Sequence, residues 1–191
     1  MRKTLLVVVL AACGGGSKQV GTTTEIQPST SVPAEAAPPA TDKAPAGAAL
    51  ESRSGSSVTG MVTIRPMGDG VHVDAKVAGA TPGKHGFHFH MVGDCSSPDG
   101  KSAGDHWNPT SVAHGAPTAE PHHAGDLGNI EVGADGTAKH TVFMKGLTVA
   151  PGDKSVVGRA VIFHAGEDDL KSQPAGNAGA RAACGVVNAA Q

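Results

Sequence analysis

Ten histidines dominate the chemistry this sequence could carry, and all lie between His72 and His164. Two of them, His88 and His90, alternate with phenylalanines in the run His85-Gly86-Phe87-His88-Phe89-His90. On a strand, alternate residues face opposite sides, so Phe87 and Phe89 enter a core while the two imidazoles project together from the other face. Paired imidazoles of this kind chelate a metal ion through nitrogens suited to copper or zinc. His106, His114, His122, His123 and Asp126 follow within one segment, and imidazoles with a carboxylate suit a tetrahedral zinc site. The residues alone leave open whether His122 or His123 takes part. His164 ends the apolar run Ala160-Val161-Ile162-Phe163, where a ligand would face a loop-covered site. His72 and His140 read as outward strand residues, and His85 as a structural one.

Short segments of alternating polarity supply the frame. In Val71-His72-Val73-Asp74-Ala75-Lys76-Val77, the residues Val71, Val73, Ala75 and Val77 share one face. Period two of this kind argues for a half-buried antiparallel strand. Comparable runs are Val58–Ile64, Gly86–His90, Leu127–Val132, Ala138–Met144, Arg159–Phe163 and Ala183–Val187. Asp69-Gly70 and Asp135-Gly136 separate such runs, where hairpins need residues tolerant of positive φ. No window offers an amphipathic helix, so the expected fold is an all-β sandwich or barrel. With no Tyr, one Trp and four Phe, the core must rest mainly on aliphatic side chains. One connection breaks the rhythm. Met91 to Asp126 has no strand-like run, and it exceeds the ~12–15 residues beyond which loops are uncommon in compact domains. A disulfide and a metal together would order it.

The N-terminus carries a different kind of information. Arg2 and Lys3 precede a short apolar run, Leu5 to Leu10, well below the ~20 residues a membrane span needs. The run ends in Leu10-Ala11-Ala12-Cys13, which resembles the lipobox of bacterial lipoprotein signal peptides. That resemblance implies a signal peptide over residues 1–12 and a lipid-bearing Cys13. Gly14 in place of Asp is similar to lipoproteins sent to the outer membrane, in hosts that have one. Residues 13–54 are rich in Ala, Thr, Ser, Pro and Gly, and such a segment buries too little apolar surface to offset its chain entropy. It reads as a tether with a reach of about 35 Å. The folded domain is then expected over 55–191. With Cys13 assigned to lipid, an exported chain most simply pairs its two remaining cysteines, Cys95 and Cys184. A formal net charge of −2 gives no nucleic-acid footprint.

Gly86-Phe87-His88-Phe89-His90-Met91-Val92-Gly93-Asp94 closely resembles the first signature of copper/zinc superoxide dismutases, and the stretch from Gly176 to Val187 resembles the second. Between them, His106-Trp107-Asn108-Pro109, His114-Gly115-Ala116-Pro117, His123-Ala124-Gly125-Asp126-Leu127-Gly128-Asn129 and Phe163-His164 fall in family order. The resemblance covers about Gly55 to Gln191. It implies a Greek-key β-barrel of about eight antiparallel strands with long metal-binding and electrostatic loops. It implies copper held by His88, His90, His106 and His164, and zinc held by His106, His114, His123 and Asp126. The family pattern His-x-Gly-Asp thus selects His123, and His106 bridges the two metals. Asp168 matches an aspartate that links a copper histidine to a zinc histidine, here His88 and His114. Arg181 matches an arginine that attracts and orients the substrate anion, and Cys95–Cys184 matches the family's intrasubunit disulfide.

The implied reaction is dismutation of superoxide to dioxygen and hydrogen peroxide by a redox-cycling copper, with His106 handling a proton, in defence of the cell envelope. The competing reading is a copper/zinc carrier without turnover. The stretch from His164 to Arg181 is shorter than in eukaryotic relatives, and Lys171 is the one candidate in it for a guiding charge. Family members include monomers and homodimers, and no apolar stripe in the sequence chooses between them.

Overall fold

The structure, a computed structural model, describes residues 46–190. The expected signal peptide, Cys13 and the expected tether up to residue 45 lie outside them. Among the described residues, nine strands follow in chain order: β1 (Ala46–Ser52), β2 (Thr59–Met67), β3 (Gly70–Ala78), β4 (Gly83–His90), β5 (Asp126–Val132), β6 (Thr137–Lys145), β7 (Ala160–His164), β8 (Arg181–Val186) and the short β9 (Asn188–Ala189). One 3-10 turn, Lys101–Ala103, interrupts the long loop between β4 and β5. The spatial order is β5-β4-β7-β8-β1-β2-β3-β6, with β9 beside β1, and every ladder is antiparallel. Two crossings of Greek-key type, β3 to β4 and β6 to β7, produce this order. The sheet curls into a nearly closed barrel whose open seam lies between β5 and β6.

Alternation decides which residues fill it. Val71, Val73, Ala75 and Val77 of β3 are buried, and their partners Ile64 and Val62 on β2 are fully buried. Phe87, Phe89 and Phe163 are the largest fully buried side chains. Each contributes about 1.5–3 kcal/mol by leaving water. A smaller cluster of Ala103, Ala160, Ile162 and Cys184, with Cys95 against it, packs under the long loop.

Two expectations need correction. Ala46–Ser52, which the sequence assigns to the tether, belongs to the sheet, because Ala46, Ala48 and Leu50 alternate inward on β1 while its backbone pairs with β2, β8 and β9. Side chains this small hide a strand inside an Ala-rich stretch, where backbone pairing rather than side-chain bulk fixes it. His140 faces inward, in alternation with the buried Ala138 and Met144. Its ring meets Phe87 edge-on, with centroids 6.4 Å apart. His72, by contrast, does lie on the outer face, against Phe143. His85 is buried and structural: its two ring nitrogens lie 2.9 Å from the His164 carbonyl and 2.8 Å from that of Thr81.

Candidate metal centre

The site is built on β4, whose last six residues are all buried. Phe87 and Phe89 fill the barrel, whereas His88 and His90 point outward beneath the long loop. That loop docks as backbone: Trp107 N donates to Phe89 O and Met91 N to Asp105 O, both at 2.9 Å. An isolated bridge between His90 and His106 results. On the other side, β4 pairs with β5 so that His88 stands opposite Asp126, with a register shift between Gly86 and His88. A second shift falls between Phe163 and His164, where β7 meets β8 and His164 stands opposite Arg181. Such irregularities re-aim side chains, and both adjoin site histidines.

Loop order has covalent support. Cys95 and Cys184 are joined by a disulfide with Cα atoms 5.8 Å apart. Arg53 donates from Nε to Cys95 O at 2.9 Å, and Ser54 N donates to Pro98 O at 2.8 Å. From the same stretch, the Gly100 carbonyl accepts from the Arg181 guanidinium at 2.8 Å. The disulfide therefore fixes the peptide that orients Arg181.

The structure brings together His88, His90, His106 and His164 in one group and His106, His114, His123 and Asp126 in another. Within each group the candidate donor atoms all lie within 4.8 Å of one another. His122 belongs to neither; its Nδ1–H donates to the His123 carbonyl at 2.7 Å. Asp126 Oδ1 lies 3.1 Å from His106 Nδ1, 3.0 Å from His114 Nδ1 and 3.3 Å from His123 Nδ1. A tetrahedron with arms of about 2.0–2.1 Å, as in zinc–nitrogen coordination, has edges of about 3.3 Å. The second oxygen of Asp126 accepts from the backbone of His123 and Gly115 at 2.8 and 3.1 Å, which fixes the carboxylate's orientation.

Buried, unpartnered nitrogens carry the same message. His88 Nδ1, His90 Nε2, His106 Nε2, His114 Nδ1, His123 Nδ1 and His164 Nε2 are shielded from water and have no hydrogen-bond partner. Buried polar atoms left unpaired are costly, and their concentration around two centres marks places for cations. Most of the rings are held from behind. His88 and His114 donate from Nε2 to the two oxygens of Asp168 at 2.8 and 2.9 Å. His90 and His164 donate from Nδ1 to the carbonyls of Gly104 and Gly179, at 2.9 and 3.3 Å. These bonds fix the tautomer that leaves the other nitrogen free to coordinate.

Electrostatics agree with neutral rings around ionised carboxylates. Burial pushes His88 down to about 4, outweighing its hydrogen bond to Asp168. Burial likewise holds His90 and His164 well below the usual histidine range. Burial opposes ionisation of Asp126 and Asp168, but the hydrogen bonds they accept win, and both lie below the usual carboxylate range. His114 is the exception. Burial disfavours its charge, yet Asp126 and Asp168 on either side raise it to about 9, so a cation entering there displaces a proton.

A channel of about 490 Å³ leads to the first group. His90, His106, His164 and Arg181 line it; Lys171 does not and is exposed elsewhere on the loop.

Residue patterns had not singled out two positioning amides. Asn129 pairs with the backbone of Asp168, donating to its carbonyl at 2.8 Å and accepting from its N–H at 2.9 Å. Gln173 does the same for His114, at 3.0 and 2.8 Å. Neither residue has metal-binding chemistry, so only tertiary placement reveals them.

The sequence pattern of copper/zinc superoxide dismutase (SODC) matches residues 58–187. That match runs from β2 through β8 and takes in every residue of the two groups. With the barrel, the disulfide and two buried clusters that share His106, it shows that the chain belongs to the copper/zinc superoxide dismutase family.

Proposed function

We propose that this protein is a superoxide dismutase with copper at His88, His90, His106 and His164 and zinc at His106, His114, His123 and Asp126. The observation that carries the reading is the set of buried, unpartnered nitrogens around two centres, joined by a single ring that faces both. When bound, copper supplies alternating one-electron oxidation and reduction, and zinc a fixed positive charge.

The chain's own residues do the rest. His106 Nδ1 faces the Asp126 group, so that end of the ring is anchored. Its Nε2 faces the other group and can take up a proton and release it to a reduced substrate. His88 is wholly buried behind this face, whereas His90 and His164 reach the channel. Arg181 stands opposite His164 with one nitrogen committed to Gly100, and its other N–H groups can attract and orient a small anion. A pure carrier has no use for such a guanidinium, which favours turnover over storage.

We further infer that the chain is exported and lipid-anchored through Cys13, in the bacterial cell envelope, where it protects against superoxide. The lipobox-like segment supports this, as does a disulfide that suits an oxidising compartment. Changing Cys13 to Ser should move the protein from membrane to soluble fractions, and unchanged partitioning would remove the anchor. The activity is tested by loading the full chain with copper and zinc and following superoxide decay with and without cyanide. Cyanide-sensitive consumption is expected; full loading without consumption would leave the carrier.

A further inference from the structure

Apart from the metal-site histidines, the channel wall carries two charged side chains, Arg181 and Asp105. Asp105 immediately precedes His106, and its backbone carbonyl is fixed by the Met91 N–H at 2.9 Å. Its side chain is exposed and has no ion-pair partner among the described residues. The other nearby carboxylate, Asp99, is paired with Lys101 at 3.1 Å. Burial lowers the pKa of Arg181, and the carboxylates of Asp105 and Asp99 act in the opposite sense, so Asp105 lies within electrostatic reach of the guanidinium. Lys84 and Glu167 pair with each other, and Lys171 stays off the wall.

We propose that Asp105 governs anion access to this site: its unpaired carboxylate opposes Arg181 and weakens the attraction of the channel for a small monoanion. The proposal rests on the dismutase reading for its substrate, superoxide, but the electrostatic argument applies to any small anion. Clefts lined by one sign of charge raise association rates by about 10–10³-fold, and two opposed charges forfeit most of that gain. A lone charge at a channel mouth acts strongly at low salt, where the screening length is about 30 Å at 0.01 M, and weakly at 0.15 M, where it is about 8 Å. The loaded wild-type protein should therefore show superoxide consumption that varies little with ionic strength.

The test compares copper- and zinc-loaded full-length wild type, Asp105→Asn and Asp153→Asn. Asp153 lies on the exposed loop before Ser155, off the channel wall, and its change alters net charge equally. Asparagine keeps the size of Asp105 and removes its charge. Azide affinity, read from the copper spectrum, should tighten about threefold or more in Asp105→Asn alone. Superoxide kcat/KM should rise about three- to tenfold at low salt, with the gain shrinking as salt increases. Equal azide affinity in the two variants would overturn the proposal, as would a slower Asp105→Asn enzyme. Fully loaded wild type without superoxide consumption would contradict the dismutase reading instead, while the azide comparison would still decide the role of Asp105.

Discussion

Asp168 Oδ2 accepts a hydrogen bond from His88 Nε2 at 2.8 Å, between two side chains with no solvent exposure. Its other oxygen accepts from His114 at 2.9 Å, so one carboxylate steadies a ring of each metal group. Changing Asp168 to Asn leaves one acceptor where two are needed and turns a donor toward the other ring. Loss of a residue that orients metal ligands typically costs about 10–100-fold in affinity. Zinc retention against a competing chelator should fall by that order, and unchanged retention would remove the linking role.

His164 belongs to one group and His106 to both. Replacing His164 with Ala should abolish superoxide consumption and copper binding while zinc remains. Replacing His106 with Ala should weaken both metals. Metal analysis of the two variants checks this, and loss of zinc with His164→Ala would contradict the assignment.

Gly176 sits at φ 63°, a conformation that favours glycine. A Cβ there would fall on Asp168 Oδ1 and lie 2.7 Å from His114 Nε2. Gly176→Ala should therefore cost about 1–3 kcal/mol from overpacking and loosen zinc. Gly55, at φ 74° with open space around it, is the control for backbone strain alone. Gly55→Ala should lower Tm without changing metal content; equal zinc retention in the two variants would contradict the crowding argument.

Much of this centre was legible in residue pattern because it rests on strand alternation. Phe87 and Phe89 against His88 and His90 reveal both a core face and a ligand face. The Ala-rich β1 was not legible: Ala46 and Ala48 look like tether, and the ladders that make them a strand are long-range. The polar type of His140 suggests an outward residue, whereas its alternation with Ala138, Val142 and Met144 puts it on the inner face of β6. Its ring finds a place there against Phe87. Asn129 and Gln173 act through backbone contacts with distant segments, which no spacing rule encodes.

The inward ring of His140 has a consequence for acid stability. Burial lowers its pKa below the usual value, against the pull of the Leu127 backbone, and its Nε2 is buried without a partner. The folded state therefore favours the neutral ring. Its contribution to stability is complete above the unfolded histidine value of about 6.5 and is lost as pH falls from there toward the lower folded value. The Tm of His140→Leu should gain on that of wild type as pH drops from about 8 to about 5. A constant difference would show that His140 does not titrate on unfolding.

The disulfide joins residues 89 apart in sequence and secures the loop that holds Gly100. Changing both Cys95 and Cys184 to Ser should cost about 2–4 kcal/mol. It should also lower superoxide kcat/KM, because the Arg181 anchor loosens. Unaltered kinetics in the folded variant would separate the disulfide from Arg181.

The most direct test of the central claim is a copper titration of zinc-loaded full-length protein, following superoxide decay at each addition. Activity should rise in proportion to copper, stop at one equivalent and be absent with zinc alone. Saturation with copper without superoxide consumption, or activity that tracks zinc, would contradict the account.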